Sequence, residues 1–338
     1  QRLGKEPRTD SLLLLVHFDF FKKFIKIAAN YNRLDNFLSY MPVSASETLM
    51  RGFIANLDKT GNLEDAIDVA DSYSSITNTN LLTAILGYVI KNENDCIRNN
   101  NSRGKTIYGL LKTIFLSADT ANKIDLTGIL GIPSIYEIEN TNMRDDSGRI
   151  IQQVYWYGDK DGKTFFPSFI NSFSPRDWII TSNSEWYEIR SKKGNVWVFA
   201  NRPLDNDANL DDSAQVHLNE YLAQNDMLPV VVVHRGHSYW LPRTIKRMAG
   251  NAKIVMLGSC GGYKNLNDII EVNPEAHIIS TKEIGAGDIN RPILNYLNQT
   301  FESGKPLIWK NMWATLTKLF ATDPSTAIRE SWDSYIPP

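Results

Sequence analysis

A histidine and a cysteine each follow a strand-like apolar segment in the C-terminal half of the chain, and such a pair could perform nucleophilic acyl transfer. Residues 230–233 lead into His234-Arg-Gly-His237, and residues 254–257 lead into Gly-Ser-Cys260-Gly. In a pair of this kind the imidazole accepts the thiol proton and the thiolate attacks a carbonyl carbon. The glycines around the thiol leave room for a substrate and allow a tight backbone that directs N–H groups at an oxyanion.

A single helical pattern, residues 241–249, separates these two segments. A strand–helix–strand unit of this length makes the two strands parallel and neighbouring. The loops that follow parallel strands emerge at the same edge of the sheet, where open α/β sheets bind their ligands. The sequence therefore predicts that His237 acts as the base and Cys260 as the nucleophile of one site.

Other interpretations of the same residues remain open. A single cysteine at a strand end is often a small buried apolar residue, and a glycine-rich turn can bind phosphate. No G-x-G-x-x-G pattern and no Walker-type lysine accompanies these glycines, which argues against a nucleotide site. His234 is a second candidate for the catalytic histidine, with His237 supporting it. A metal bound by His234 and His237 lacks a third ligand nearby, so we predict no metal.

The two blocks resemble those of the caspase-like cysteine peptidases, a group that includes caspases, legumains, gingipains, clostripains and separases. The resemblance is carried by Gly236-His237-Ser238 after the first strand and by Ser259-Cys260-Gly261 after the second, and it extends over about residues 150–300. Ser238 departs from the pattern, because the family usually has glycine after the histidine.

The resemblance implies a peptidase that forms a thioester acyl-enzyme and needs no cofactor. His237 would be the general acid and base, and Cys260 the nucleophile. Backbone N–H groups beside His237 and at Cys260 would form the oxyanion hole, and Gly236, Ser238 and Gly261 are the neighbouring residues expected to contribute to it or to substrate binding. The expected partner is a peptide or protein substrate.

Two acidic residues, Asp159 and Asp161, follow the first predicted strand of this region. At the same sheet edge they could line a pocket for an arginine or lysine side chain of the substrate. The alternative is a hydrated turn, which suits the sequence Gly-Asp-Lys-Asp-Gly. Gly258, two residues before the cysteine, stands where some arginine-cleaving relatives carry aspartate, so support from that position is absent.

The surrounding pattern predicts two domains in this chain of 338 residues. Residues 1–140 show helical periodicity, with an asparagine-rich loop at 92–103, and a polar linker follows. In residues 149–338, β-rich runs alternate with helical patterns, which indicates an α/β domain with a mostly parallel, caspase-like sheet flanked by helices. Residues 205–213 are polar and are predicted to form an exposed loop suited to activating cleavage.

Composition limits the partners. The net charge of -2 provides no basic excess for nucleic acid, and no apolar run is long enough to span a membrane. Two cysteines, Cys96 and Cys260, exclude a disulfide scaffold and a CxxC metal site. The chain begins with glutamine, which is compatible with an exported bacterial protein, periplasmic or secreted, that has lost its signal; the compartment stays open.

The function predicted from the sequence is that of a cysteine endopeptidase. A caspase-like protein retained for binding alone is one rival. An acyl-transfer enzyme, such as a transpeptidase with the same dyad, is the other.

Overall fold

The computed structural model of the chain describes residues 18–30, 33–60, 63–118, 122 and 124–338. The chain divides into two compact units, Gln1–Ile132 and Pro133–Pro338. The sequence placed the end of the first part near residue 140, eight residues further on. The difference arises because strand β1 (Glu137–Ile138) pairs with β9 (Leu307–Ile308), and Met143 is buried in the core of the second unit.

The described part of the first unit is helical. Its helices are α1 (Phe18–Asn30), α2 (Leu34–Ser39), α3 (Val43–Ile54), α4 (Glu64–Ser74), α5 (Thr79–Arg98), α6 (Ser102–Ala118) and α7 (Leu126–Leu130). Helices α1 to α6 share one apolar core, to which the buried faces of α3, α5 and α6 contribute most of the side chains. No described helix, here or in the second unit, is both long enough and apolar enough to cross a bilayer.

The predicted asparagine-rich loop at residues 92–103 is wrong over most of its length. Helix α5 continues to Arg98 because its last turns are anchored from inside. Glu93 is buried and pairs with Lys112 of α6 at 2.6 Å, and Cys96 is buried against Gly104. Parts of the helical periodicity expected over residues 1–140 lie outside the described residues, at 1–17, 31–32, 61–62, 119–121 and 123.

The second unit is built on an eight-stranded sheet in the order β10-β8-β7-β6-β2-β5-β4-β3. Neighbouring strands β5, β2, β6, β7 and β8 run parallel, and the outer strands β3, β4 and β10 are antiparallel. The mostly parallel sheet predicted from the sequence is confirmed. The bounds are β2 (Ile150–Trp156), β3 (Trp178–Ser182), β4 (Trp186–Ser191), β5 (Val196–Asn201), β6 (Val231–Arg235), β7 (Ile254–Leu257), β8 (His277–Thr281) and β10 (Tyr335–Ile336).

Helices cover both faces of this sheet, which explains why β2, β6 and β7 are buried along their whole length. The helices are α8 (Lys160–Asn171), α9 (Leu210–Gln224), α10 (Leu241–Arg247), α11 (Leu266–Val272), α12 (Gly287–Ser303), α13 (Trp309–Ala321) and α14 (Thr326–Trp332). Helices α8, α12 and α13 pack on the face that carries the main core, and α9 packs on the opposite face.

The polar segment 205–213, predicted to be an exposed loop, is helical in its second half. Helix α9 begins at Leu210, and Asp211 is fully buried. Its carboxylate accepts the N–H of Gly158 at 2.9 Å, which anchors the loop after β2. Only the first part of the segment, up to Asn209, remains outside regular structure.

Candidate active site

The two loops with candidate catalytic residues leave the sheet side by side. Strands β6 and β7 are parallel neighbours, and His234 is paired with Leu257 in their register. His237 and Cys260 each lie three residues beyond this pair, so both follow the carboxyl ends of adjacent strands. Parallel neighbours are about 4.8 Å apart, which brings the two loops to one edge of the sheet.

Cys260 lies in a tight loop that exposes its thiol. The residue is exposed and its thiol is free, whereas Cys96 is buried and also free. Gly261 has a φ of 59°, in the left-handed region that favours glycine. The loop is held by the Gly261 N–H, which donates to the carbonyl oxygen of Glu283 at 2.5 Å.

This hydrogen bond corrects the expectation that Gly261 supplies an oxyanion-hole donor, because its N–H already has an acceptor. The backbone N–H groups of Ser238 and Cys260 differ from that of Gly261 in their hydrogen bonding. Neither has a hydrogen-bond acceptor among the described residues. The N–H of Gly236 likewise has no acceptor among the described residues, so Gly236, Ser238 and Cys260 all have an N–H group beside the candidate dyad that is available to a substrate oxygen.

His237 is accessible, with 39% of its side chain exposed. Its Nε2 atom lies 3.5 Å from Oδ2 of Asp161, whose side chain is 57% exposed. The imidazole also stacks on Tyr239, with ring centroids 5.2 Å apart. The ring is thus oriented by a carboxylate and an aromatic face, with a large part open to solvent.

Asp159 and Asp161 do different things in this loop. Asp159 caps helix α8: its Oδ1 accepts the Gly162 N–H at 2.7 Å, and its Oδ2 accepts the indole N–H of Trp240 at 3.2 Å. Asp161 instead faces His237. The pair therefore does not form the expected two-carboxylate pocket for a basic side chain, because each carboxylate is directed at a residue of the protein.

His234, the second candidate, is completely buried. Its Nδ1 lies 2.7 Å from the Thr244 hydroxyl, and its Nε2 lies 3.2 Å from the carbonyl oxygens of both Gly236 and His237. Since carbonyl oxygens only accept, Nε2 carries the proton and Nδ1 accepts from Thr244. Burial lowers the pKa of His234 to about 4. His234 is thus a neutral anchor for the loop of His237.

A tyrosine completes this anchor. The Tyr157 hydroxyl lies 2.8 Å from the Thr244 hydroxyl, which extends the chain of hydrogen bonds to His234. The Tyr157 ring stacks on Trp240, with centroids 5.1 Å apart. A β-carbon at Gly236 would lie 2.5 Å from the Tyr157 ring, so only glycine fits beside it.

The sequence prediction included neither Tyr157 nor Thr244. No local signal marks a tyrosine at a strand end as a partner of a histidine 77 positions later. Another residue, Arg235, was passed over for the same reason: it is charged, yet it is buried beside the site.

In comparisons with known proteins, no family model and no curated protein matches this chain.

Proposed function

We propose that the chain is a cysteine peptidase in which Cys260 is the nucleophile and His237 its general base and acid, on a caspase-like α/β domain. The observation that supports it most is the register of β6 and β7, in which His237 and Cys260 stand three residues beyond a paired position. An exposed free thiol and an accessible imidazole at one sheet edge are the groups that this chemistry requires.

In the proposed reaction His237 takes the Cys260 proton and the thiolate attacks the carbonyl carbon of the scissile peptide bond. The oxygen becomes an oxyanion, which the N–H groups of Ser238 and Cys260 are available to bind. His237 then gives the proton to the leaving amine as the C–N bond breaks, and a thioester remains. Water, deprotonated by His237, hydrolyses the thioester and restores the thiol.

Asp161 is a positioning residue in this proposal. Its carboxylate contacts Nε2 of His237, which orients the ring and leaves Nδ1 as the nitrogen that would accept the thiol proton. Because both side chains are well exposed, the pair is worth no more than about 1 kcal/mol. The effect of Asp161 on the rate is therefore expected to be modest.

Alkylation of Cys260 in the full chain tests the dyad directly. Iodoacetamide reacts with the thiolate, so the rate of Cys260 modification near pH 7, followed by mass spectrometry, reports how far the thiol is activated. We expect Cys260 to react faster than glutathione and His237→Ala to remove the advantage. His217→Ala changes another exposed histidine of the same unit and should have no effect.

A peptide-library digest then tests turnover. Cleavage by the wild-type chain, absent in Cys260→Ala, is the expected result, and an added amine separates hydrolysis from transfer to an acceptor. If Cys260 reacts no faster than glutathione and no peptide is cleaved, also after limited proteolysis to release a latent form, the peptidase proposal fails.

A further inference from the structure

Strand β10, at one edge of the sheet, is joined to the cysteine loop (residues 258–261) by a buried chain of hydrogen bonds. The hydroxyl of Tyr335 in β10 lies 2.9 Å from Oδ1 of Asn290, in the first turn of α12. Nδ2 of Asn290 donates to the carbonyl oxygen of Gly258 at 2.9 Å. Gly258 is two residues before Cys260, so a single asparagine connects the edge strand to the loop of the candidate nucleophile.

The partners fix the direction of each hydrogen bond in this chain. A carbonyl oxygen only accepts, so Nδ2 of Asn290 faces Gly258 and its Oδ1 is left to accept from the Tyr335 hydroxyl. The Tyr335 oxygen accepts the N–H of Ala286 at 2.9 Å. Burial raises the pKa of Tyr335 to about 12, so the hydroxyl keeps the proton that it donates. Both side chains are buried, and their polar atoms have partners within the fold.

The backbone is tightly packed where this chain of hydrogen bonds reaches the cysteine loop. A β-carbon built on Gly258 would lie 2.9 Å from Nδ2 of Asn290 and 2.9 Å from the carbonyl oxygen of His234. A β-carbon on Gly285 would lie 2.5 Å from the carbonyl oxygen of Gly258. The carbonyl that Asn290 holds is therefore also packed against the loop that follows β8.

A second set of hydrogen bonds runs from the start of β10 to the other side of Cys260. The hydroxyl of Ser334, directly before β10, lies 2.8 Å from the hydroxyl of Thr281 at the end of β8. The Thr281 hydroxyl accepts the N–H of Glu283 at 3.2 Å, and the carbonyl oxygen of Glu283 accepts the N–H of Gly261. The cysteine loop is thus held on both sides of Cys260 by contacts that begin at the β10 segment.

Stability alone is the competing explanation, since satisfied buried polar networks make a core more rigid. These contacts, however, end on the backbone of the loop that exposes the Cys260 thiol. A catalytic group misplaced by about 1 Å can lose roughly 100-fold in rate. Neither Asn290 nor Tyr335 has a hydrogen bond to Cys260 among the described residues, so their effect on the thiol passes through the backbone.

We propose that Asn290 and Tyr335 are positioning residues, which hold the Gly258 carbonyl and thereby keep the Cys260 thiol where His237 can activate it. This inference rests on the peptidase function proposed above. It assigns no substrate contact to either residue. Because Tyr335 belongs to an edge strand, a displacement of β10 is expected to change the reactivity of Cys260.

Alkylation of Cys260 by iodoacetamide in full-length variants tests the proposal. Tyr335→Phe removes one oxygen atom, and Asn290→Ala removes the contact to Gly258. We expect Tyr335→Phe to react about two- to tenfold more slowly than the wild type, the range that one hydrogen bond supplies, and Asn290→Ala to react more slowly still. The pH midpoint of the alkylation rate should rise in both variants, because the thiolate is then less well placed against His237.

Tyr155→Phe is the matched control. The Tyr155 hydroxyl is also buried in this unit, 3.2 Å from Oδ1 of Asn219 and 3.1 Å from the carbonyl oxygen of Arg247 at the end of α10. Its loss should lower the free energy of unfolding and leave the alkylation rate and its pH midpoint unchanged. The double variant Tyr335→Phe/Asn290→Ala should react no more slowly than Asn290→Ala alone, because the two residues act in series.

Equal alkylation rates and pH midpoints in Tyr335→Phe and Tyr155→Phe would show that the chain of hydrogen bonds serves stability alone, which overturns the proposal. Faster alkylation in Tyr335→Phe would overturn it as well, because the contact would then restrain the thiol. Since Tyr335→Phe removes a single atom, its comparison with Tyr155→Phe decides even if Asn290→Ala does not fold.

Amide hydrogen exchange of the peptide that contains the cysteine loop separates this test from that of the peptidase function. The N–H of Gly261 should exchange faster in Tyr335→Phe than in Tyr155→Phe, whether or not Cys260 is activated. This result together with a wild-type Cys260 no more reactive than glutathione would reject catalysis and support the hold on the loop. An activated Cys260 with equal exchange and equal alkylation in the two variants would reject the positioning role alone.

Discussion

Two histidines three residues apart lie in opposite environments at the end of β6. His237 is accessible and stands against a carboxylate, whereas His234 is sealed in the interior and fully hydrogen-bonded. A base must reach both its proton donor and its substrate. Of the two histidines, His237 is the accessible one, and the buried position of His234 suits an anchor of the loop.

The buried His234 should make the second unit sensitive to acid. Its pKa is about 4 in the fold, below the ordinary 6.5, so between these values the unfolded chain binds the extra proton. Stability is therefore lost as the pH falls below 6.5, by about 2 kcal/mol at pH 5 for this residue. Urea unfolding at pH 7 and pH 5 gives the loss in unfolding free energy between the two pH values. We expect this loss to be smaller in His234→Gln than in the wild type by that amount.

Burial also lowers the pKa of His277 to about 4. His277 therefore causes its own loss of unfolding free energy at low pH, and this loss persists in His234→Gln. His217→Gln is the matched control, because it makes the same change at a histidine of the same unit whose side chain is 52% exposed. An undiminished drop in His234→Gln would mean that the histidine is not neutral in the fold.

Asp161 offers a test of how the base is held. Asp161→Asn keeps the shape and removes the charge 3.5 Å from His237. We expect kcat/KM to fall about two- to fivefold, the range for an exposed ion pair, through kcat with little change in KM. Asp146→Asn, an exposed carboxylate before the opposite end of β2, is the control. A rise in KM with constant kcat would indicate a substrate contact instead.

At the scale of elements, a hydrogen-bonded chain from Tyr157 through Thr244 to His234 ties β2, α10 and β6 together. It ends on the carbonyl oxygens of Gly236 and His237, so the candidate base rests on three elements of the fold. The position of His237 therefore depends on buried polar groups that no substrate touches.

Thr244→Val should break this chain with little change in volume. The buried Nδ1 of His234 then lacks a donor, which costs about 1–3 kcal/mol in the free energy of unfolding. Thr244→Ser keeps the hydroxyl and should retain most of the unfolding free energy that Thr244→Val loses. Thr315→Val removes an exposed helix hydroxyl and should change stability by less than about 0.5 kcal/mol. Equal losses in both valine variants would contradict the role of the chain.

The strands of the site were predictable because apolar β-branched runs bounded by glycine and polar residues leave few alternatives. The order of strands β6 and β7 followed from one intervening helix. The start of helix α9 could not be predicted from the local sequence. Asp211 is buried there because its carboxylate accepts the N–H of Gly158, which belongs to a distant loop. Arg235 was missed likewise: a charge at a strand end is normally solvated, and its burial depends on α8 and α12 folding over it.

At the scale of the whole molecule, the two units have separate cores. The apolar cluster of the helical unit contains residues up to Phe115, and the clusters of the α/β unit begin at Ile138. No described residue belongs to both cores. Every tryptophan of the chain, from Trp156 to Trp332, lies in the α/β unit, so tryptophan fluorescence follows that unit alone.

A fragment of residues 133–338 should therefore fold by itself, because a complete core and a paired sheet remain within it. Its urea midpoint by tryptophan fluorescence should match that of the full chain. Iodoacetamide should modify Cys260 at the same rate in both, since β6, β7 and the Tyr157 anchor are all retained.

A fragment from residue 149 is the informative comparison. It follows the boundary expected from sequence but lacks β1 and Met143, which exposes the partner edge of β9 and leaves a cavity. We expect its unfolding free energy to be lower by about 2–5 kcal/mol, the cost of losing one large core side chain. Equal stability of the two fragments would place the start of the unit at the later boundary.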